Sequence, residues 1–126
     1  MYRKDYLLRP LNDLFRALAG KVLGLIEADK TADALTVIHE RYSGAIIDGV
    51  LNNDHAITEK TNYDELLIQA SLLFLKLKAL KRAGDQSHKL LKDQYIDYAR
   101  KVISLKPGIF DLSLQSDLNQ ALNDRY

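Results

Sequence analysis

The sequence predicts an all-α protein, and three observations support this class. Apolar residues recur at steps of three and four along most of the chain, which is the spacing of amphipathic helices. Strict alternation of apolar and polar residues never persists for five residues, so no strand pattern competes. A length of 126 residues is typical of one domain. We therefore expect two antiparallel helical hairpins at about residues 4–51 and 63–105, joined by a loop at 52–62 and followed by a C-terminal cap at 107–126.

The second hairpin has the clearest pattern. Its first helix carries one apolar stripe over about five turns, formed by Tyr63, Leu66, Leu67, Ala70, Leu73, Phe74, Leu77 and Leu80. Its second helix repeats the rhythm with Leu91, Tyr95, Tyr98, Ala99, Val102 and Leu105. Between them we expect Gly84 to adopt the left-handed conformation that ends a helix, and Asp85 or Ser87 to cap the next one. The short connection then places the two helices side by side.

The first hairpin begins with a long helix at about residues 4–28. Pro10 lies inside its apolar pattern, so we expect either a kink there or a helix start near Arg9. Gly20 and Gly24 belong to a stripe of small residues, which predicts close approach of a neighbouring helix. A dimer seam is the alternative for this stripe.

The remaining elements follow from local signals. Asp29 or Thr31 is expected to cap helix two, which continues to about Val50. The polar stretch 52–62 is predicted to be a long connection, either a spacer or functional. After residue 106 the pattern predicts an apolar plug at residues 109–110, a cap at Asp111 or Ser113, a short last helix and frayed residues 123–126.

The charge is balanced overall but unevenly placed. The formal net charge is +1, so the chain as a whole has no strong preference for nucleic acid or a membrane surface. The segment 74–106 nevertheless contains nine basic and three acidic residues. This segment predicts an anion-facing patch formed by Lys76, Lys78, Lys81, Arg82, Lys89, Lys92, Arg100 and Lys101.

The sequence contains no recognisable catalytic or metal-binding motif. There is no cysteine, which excludes disulfides and thiolate metal sites and makes a reducing cytoplasm the expected compartment. No apolar run approaches the ~18 residues of a membrane span. The spacing of His39, His55 and His88 lacks the zincin pattern, and no glycine-rich phosphate loop is present. We therefore expect no catalytic residue, no metal site and no cofactor.

Four of the seven tyrosines fall on or beside apolar helix faces. Tyrosine at the edge of a core usually buries its ring and leaves its hydroxyl to water or a backbone group. In helical-hairpin scaffolds such residues can instead line a groove for a peptide. The candidates for a partner groove are Tyr42, Tyr63, Tyr95 and Tyr98.

Two resemblances add to this interpretation. Small residues before Asp29 and Asp85, each followed by a helix that carries a tyrosine, resemble the turn of tetratricopeptide repeats, although the tryptophan-glycine signature is missing. The opening Asp5-Tyr6-Leu7-Leu8-Arg9 is similar to that of a family of small bacterial proteins with tetratricopeptide-like helices and no assigned activity. Pro10 departs from that family's apolar residue. The resemblance implies a fold and a bacterial origin.

These observations predict a non-enzymatic scaffold or protein-protein interaction module whose partner is an unidentified protein or peptide. The alternative is a nucleic-acid-binding domain that uses the basic second hairpin. Helix one has a wide apolar arc, which predicts a two-fold homodimer and is formed by Leu7, Leu8, Leu11, Leu14, Phe15 and Leu18. The competing expectation is that the C-terminal segment folds back over this arc.

Overall fold

Helices account for all regular structure in the described part of the chain. The computed structural model describes residues 2–106, 108 and 111–126, and for residues 2–14 it describes the backbone alone. Within these residues there are seven helices and no strand, which confirms the all-α prediction. They are α1 (Tyr2–Glu27), α2 (Thr31–Arg41), α3 (Gly44–Leu51), α4 (His55–Lys60), α5 (Tyr63–Arg82), α6 (His88–Leu105) and α7 (Leu112–Leu122).

Helix α5 is the centre of the packing. Its buried residues lie on both of its sides, and ten of its side chains are buried. One side joins α1 and α2 in a cluster around Val22, Ile38 and Leu72. The other joins α3, α6 and α7 in a larger cluster around Leu73 and Tyr95. The two cores therefore meet along a single helix.

Contacts at opposite ends fix the helix directions. The Tyr98 hydroxyl donates a hydrogen bond to the Leu66 carbonyl oxygen at 2.9 Å, which places the end of α6 beside the start of α5. Arg41, at the end of α2, pairs with Glu65, near the start of α5, at 2.7 Å. Helices α2 and α6 therefore both run antiparallel to α5, on its two sides.

Several of the predicted helix-end signals are present. Asp111 accepts a hydrogen bond at 2.8 Å from a backbone N–H group in the first turn of α7, as predicted, and Asn62, which was not predicted as a cap, does the same for α5 at 2.8 Å. Gly84 has φ +73°, as expected for the residue that closes α5. Asp85 accepts a hydrogen bond from the Ser87 N–H group at 2.9 Å and so shapes the turn before α6. The cap expected for helix two at Asp29 or Thr31 is wrong, because Lys30 is the N-cap and makes no side-chain cap hydrogen bond, Thr31 is the first residue of α2, and Asp29 has φ +60° and ends α1.

The predicted helix two is in fact two helices. It ends at Arg41, Tyr42 and Ser43 are extended, and α3 begins at Gly44 with Ser43 as its N-cap. The break is stabilised from α5, where buried Gln69 accepts a hydrogen bond from the Ser43 N–H group at 2.8 Å and donates to the Arg41 carbonyl oxygen at 3.2 Å. Tertiary hydrogen bonds therefore replace the helical ones that the break removes.

The predicted loop at 52–62 also contains a helix. Asp54 accepts a hydrogen bond from the Ala56 N–H group at 3.0 Å and starts the short helix α4, which packs against α3. A Cβ atom on Gly49 would come within 2.6 Å of the Ile57 side chain, so the close contact of α3 and α4 requires glycine there.

Helix α1 differs from its prediction in two respects. It begins at Tyr2, so Pro10 lies within the helix and does not start it. The close approach expected at Gly20 and Gly24 is wrong, because a Cβ atom added at either residue would meet no described atom within 4 Å. The plug expected at residues 109–110 lies outside the described residues. No helix in the described ranges is long and apolar enough to cross a membrane.

Candidate functional site

The four tyrosines expected at a partner groove do not share a surface. Tyr95 and Tyr98 have 0% exposure and belong to the larger core. Tyr42 and Tyr63 are half-buried and lie at its margin. Two of the four expected groove residues are therefore core residues, because α6 is covered by α3 and α7 as well as by α5.

The buried tyrosines have different hydrogen-bond environments. Tyr98 donates its hydroxyl proton to the Leu66 carbonyl oxygen, whereas the Tyr95 hydroxyl has no hydrogen-bond partner among the described residues. Burial raises the pKa of both hydroxyls far above the ordinary value of 10.0, so both stay protonated. Tyr95 also packs against Phe74 with ring centroids 5.2 Å apart. Tyr95 and Tyr98 therefore stabilise the core and are not accessible to a partner.

The eight basic residues of the second hairpin point in several directions. Lys76 lies over the Tyr42 ring, 4.7 Å from its centroid, towards α2, and burial lowers its pKa. Lys101 donates to the Leu51 carbonyl oxygen at 2.6 Å, towards α3. Arg82 pairs with Asp29 at 2.7 Å, beside the turn between α1 and α2. These three side chains contact three different elements.

The other five basic residues of the second hairpin lie in further, different surroundings. Lys78 lies over the Phe74 ring, 5.3 Å from its centroid, on the side of α5 that carries α7. Lys89 and Arg100 are exposed on α6, with no ion pair to any residue that the structure describes. Only Lys81 and Lys92 share a described partner.

An open groove lies between α1, α5 and the start of α7. Its volume is about 320 Å³. The lining residues come from three elements and are Phe15, Arg16, Asp64, Leu67, Ile68, Ser71, Asp111, Ser113 and Leu114. Asp64, Leu67 and Ser71 follow one another at steps of three and four, so they form one line along α5. The groove combines apolar side chains with two carboxylates, two hydroxyls and the Arg16 guanidinium group, which is a composition suited to binding a peptide segment.

The sequence did not single out this groove because its parts lie far apart in the chain. Asp64 and Asp111 come from two helices that start beside each other, and the Asp111 carboxylate also caps α7. Asp111 contributes, after burial, to the raised pKa of Tyr63. A carboxylate that caps a helix is held in place, so Asp111 is a fixed negative charge at the groove rim.

A second surface site surrounds the turn between α5 and α6. We call it the turn site, and it consists of Lys81, His88, Lys89, Lys92 and the acidic Asp93. Residues 123–126, which we call the tail, lie across it. The tail contributes Asp124 and Tyr126, and the cavity beside it has a volume of about 470 Å³. Residues 123–126 were expected to fray. That expectation is wrong because the side chains of Asp124 and Tyr126 are held in the turn site.

The contacts between the tail and the turn site use both charge and an aromatic ring. Lys92 Nζ lies 2.6 Å from Asp124 Oδ1, and Lys81 Nζ donates to the Asp124 carbonyl oxygen at 3.3 Å. Lys81 Nζ also lies 4.4 Å from the centre of the Tyr126 ring. His88 Nδ1 and the Tyr126 hydroxyl are 2.8 Å apart. The bond to Lys92 lowers the pKa of Asp124 and raises that of Lys92.

The titratable side chains outside the two surface sites form no reactive cluster among the described residues. Among the described residues no three histidine, aspartate or glutamate side chains lie close enough to hold a metal ion. His39 packs edge-on against Tyr42 with ring centroids 5.2 Å apart, and burial and Lys76 lower its pKa. Asp117 on α7 has a pKa raised to about 6 by burial, although nearby Lys78 opposes this shift.

Comparison with other proteins gives no further guide. No family model matches the chain, and the searches of curated proteins and of solved structures found no similar protein. The function therefore has to be inferred from the groove and the turn site.

Proposed function

We propose that this protein is a non-enzymatic helical scaffold that binds a protein or peptide segment in the groove between α1, α5 and α7. The groove itself is the observation that carries the proposal. Its volume of about 320 Å³ is sufficient for a few side chains, and it is open at the surface. Leu67 and Ile68 contribute apolar surface, while Asp64 and Asp111 contribute carboxylates and Arg16 contributes a guanidinium group. A segment that carries an apolar side chain beside charged ones fits this lining.

The helix order supports a tetratricopeptide-like scaffold. We take α1 with α2, and α5 with α6, as two helical hairpins, as the resemblance of their turns implies. The first helices of the two hairpins contact each other, and both contribute to the groove. In helical-repeat proteins, the surface made by successive repeats is the extended one that binds partners. The resemblance to the bacterial family that opens with Asp-Tyr remains a prediction and supplies no activity.

Nucleic-acid binding has less support. A duplex or single strand is bound by a basic stripe that follows its phosphates. Here the basic residues contact α2, α3, the turn before α2, and the tail. Several are already engaged by carboxylates or carbonyl oxygens, and only Lys81, Lys89 and Lys92 line a common cavity, which the tail already occupies in part.

Variants that fill the groove test the proposal. Ser71 is a small, half-buried residue of the lining, and Ser71→Arg places a long charged side chain in the groove. Ser104→Arg is the matched control, because Ser104 is exposed on α6 and lies outside the groove. Each protein is immobilised and exposed to extract of the source cell, and the retained proteins are identified. We expect a partner that wild type and Ser104→Arg retain and Ser71→Arg loses.

The result is informative only for folded variants, so thermal unfolding followed by circular dichroism accompanies the capture. A set of retained proteins that is identical for wild type and Ser71→Arg would refute binding in the groove. A retained species that proves to be nucleic acid, and that is released by salt, would favour the alternative function.

The homodimer through helix one remains a separate proposal. Phe15 and Leu18 of its apolar arc are half-buried, while Leu23 is 37% exposed. Sedimentation equilibrium distinguishes the alternatives. A mass of about twice 14.3 kDa that depends on concentration supports the dimer, and a constant 14.3 kDa at high micromolar concentration rejects it.

A further inference from the structure

The turn site has the composition of a binding site whose ligand is already present. Three lysines and a histidine converge there from the end of α5 and the start of α6, so they outnumber the one acidic residue of the site, Asp93. What they hold is a segment of the same chain that follows α7. The segment offers a carboxylate and, two residues later, a tyrosine ring.

Each feature of the tail has its own complement in the turn site. Lys92 binds the Asp124 carboxylate, and Lys81 donates a hydrogen bond to the backbone carbonyl oxygen of the same residue. The Tyr126 hydroxyl contacts His88. Lys81 recognises the ring as well, because its ammonium group lies 4.4 Å from the ring centre. Charge, ring and hydroxyl are thus recognised by three separate side chains.

The contacts are also of a kind that can be exchanged. The Asp124 side chain is 67% exposed and that of Lys92 is 24% exposed, so water and salt reach the ion pair. The tail lies outside the helices, and Arg125 is exposed between the two bound residues. The cavity of about 470 Å³ leaves room beside the tail. Lys89 lines that cavity, and no ion pair joins it to a residue in the described ranges.

We propose that the turn site is a receptor for a segment of a partner protein that carries an acidic residue followed, two residues later, by an aromatic one, and that the tail is its resident, displaceable competitor. The proposal concerns a different surface from the groove and does not depend on it. Since the tail is tethered, its local concentration is on the order of millimolar. A partner segment therefore binds only when it is abundant, when it makes further contacts, or when the tail has moved away.

The test uses the full chain with the tail side chains removed. In the double variant Asp124→Ala/Tyr126→Ala the turn site is intact but its resident ligand is gone. The probe is a fluorescently labelled peptide with the sequence of residues 120–126, and its control peptide has asparagine and alanine in place of the aspartate and the tyrosine. Fluorescence anisotropy measures the affinity for wild type, for the double variant, and for the double variant that also carries Lys92→Ala.

We expect the peptide to bind the double variant roughly tenfold more tightly than wild type, because a tethered competitor at millimolar concentration is removed. Lys92→Ala and added salt should both weaken this binding, and the control peptide should not bind. Tyr126→Ala alone should give an intermediate affinity, and it serves as a second variant if the double variant unfolds. Circular dichroism verifies the fold of each protein.

Three results would overturn the proposal. Equal affinity for wild type and the double variant would show that the tail does not compete. Affinity that is unchanged by Lys92→Ala would place the peptide elsewhere. Displacement of the peptide by inorganic phosphate as readily as by unlabelled peptide, at constant ionic strength, would show a general anion site with no role for the aromatic ring.

Discussion

Replacing Gln69 by methionine tests whether one buried amide stabilises the break between α2 and α3. Gln69 has 0% exposure and lies in the middle of α5. Its oxygen accepts a hydrogen bond from the Ser43 N–H group at 2.8 Å, and its nitrogen donates to the Arg41 carbonyl oxygen at 3.2 Å and to Glu65 at 2.8 Å. Methionine has a similar volume but makes none of these bonds, so the effect of the change is mainly polar.

The size of the loss follows from what remains unpaired. Two partly buried backbone groups, the Ser43 N–H and the Arg41 carbonyl, lose their partners, and each costs about 1–3 kcal/mol. Burial of a thioether in place of an amide returns about 1 kcal/mol of this. We therefore expect Gln69→Met to lower the free energy of unfolding by about 1–5 kcal/mol. Urea unfolding followed by circular dichroism measures it.

Two further variants isolate the cause. Gln94→Met on the exposed face of α6 is the matched control and should change the free energy of unfolding by less than about 0.5 kcal/mol. Gln69→Glu keeps an acceptor for the Ser43 N–H group but places a carboxylate beside Glu65, so its loss should be larger at pH 7 than at pH 4.5. A loss below about 0.5 kcal/mol for Gln69→Met, or no pH dependence for Gln69→Glu, would refute this account of the break.

Three other predictions concern the cores and α7. Leu73→Ala, at 0% exposure, should lower the free energy of unfolding by about 2–5 kcal/mol in urea, and a loss below about 0.5 kcal/mol would contradict its burial. Gly49→Ala should destabilise by about 1–3 kcal/mol because its Cβ atom would lie 2.6 Å from Ile57, whereas Gly24→Ala, with open space, should stabilise by up to about 1 kcal/mol; equal effects would refute this. The pKa of Asp117 is raised to about 6, so the stability from its protonated form is complete below about pH 4 and is lost as pH rises through 6. Asp117→Asn should therefore stabilise at pH 7 by about 1 kcal/mol, after allowance for partial exposure, and by much less at pH 4, as measured by urea unfolding; an equal gain at both pH values would contradict the shift.

The sequence predicted the helices whose local signals agree with their packing. In α5 and α6 the apolar spacing and the left-handed Gly84 favour the same structure, and both helices are found close to the expected bounds. The break after Arg41 has no such signal. It depends on Gln69, which lies 28 residues further along the chain. A glutamine on the apolar face of a helix, three residues after Leu66 and four before Leu73, is the one sequence feature that could have pointed to it.

The candidate surfaces were harder to predict because they depend on which helices pack over each helix face. Tyr95 and Tyr98 look like edge residues on a single helix, but α6 is packed by three elements and both rings are fully buried. Conversely, Tyr126 follows the last helix and was expected to fray, yet it contacts Lys81 and His88. Burial of one helix face can be predicted from its spacing, whereas the number of neighbours around a helix depends on the tertiary arrangement.

Helix α7 links the groove to the turn site. Asp111, just before α7, lines the groove beside Asp64 at the start of α5, and Asp124, just after α7, contacts Lys81 at the end of α5. Helix α7 therefore runs parallel to α5 and covers the middle of one of its faces, where Leu118 joins the larger core. The groove lies beside the start of α7, and the turn site lies beside the residues that follow its end. A shift of α7 along α5 must change both of them, because the same rigid helix borders the groove with its first turn and positions the tail with its last.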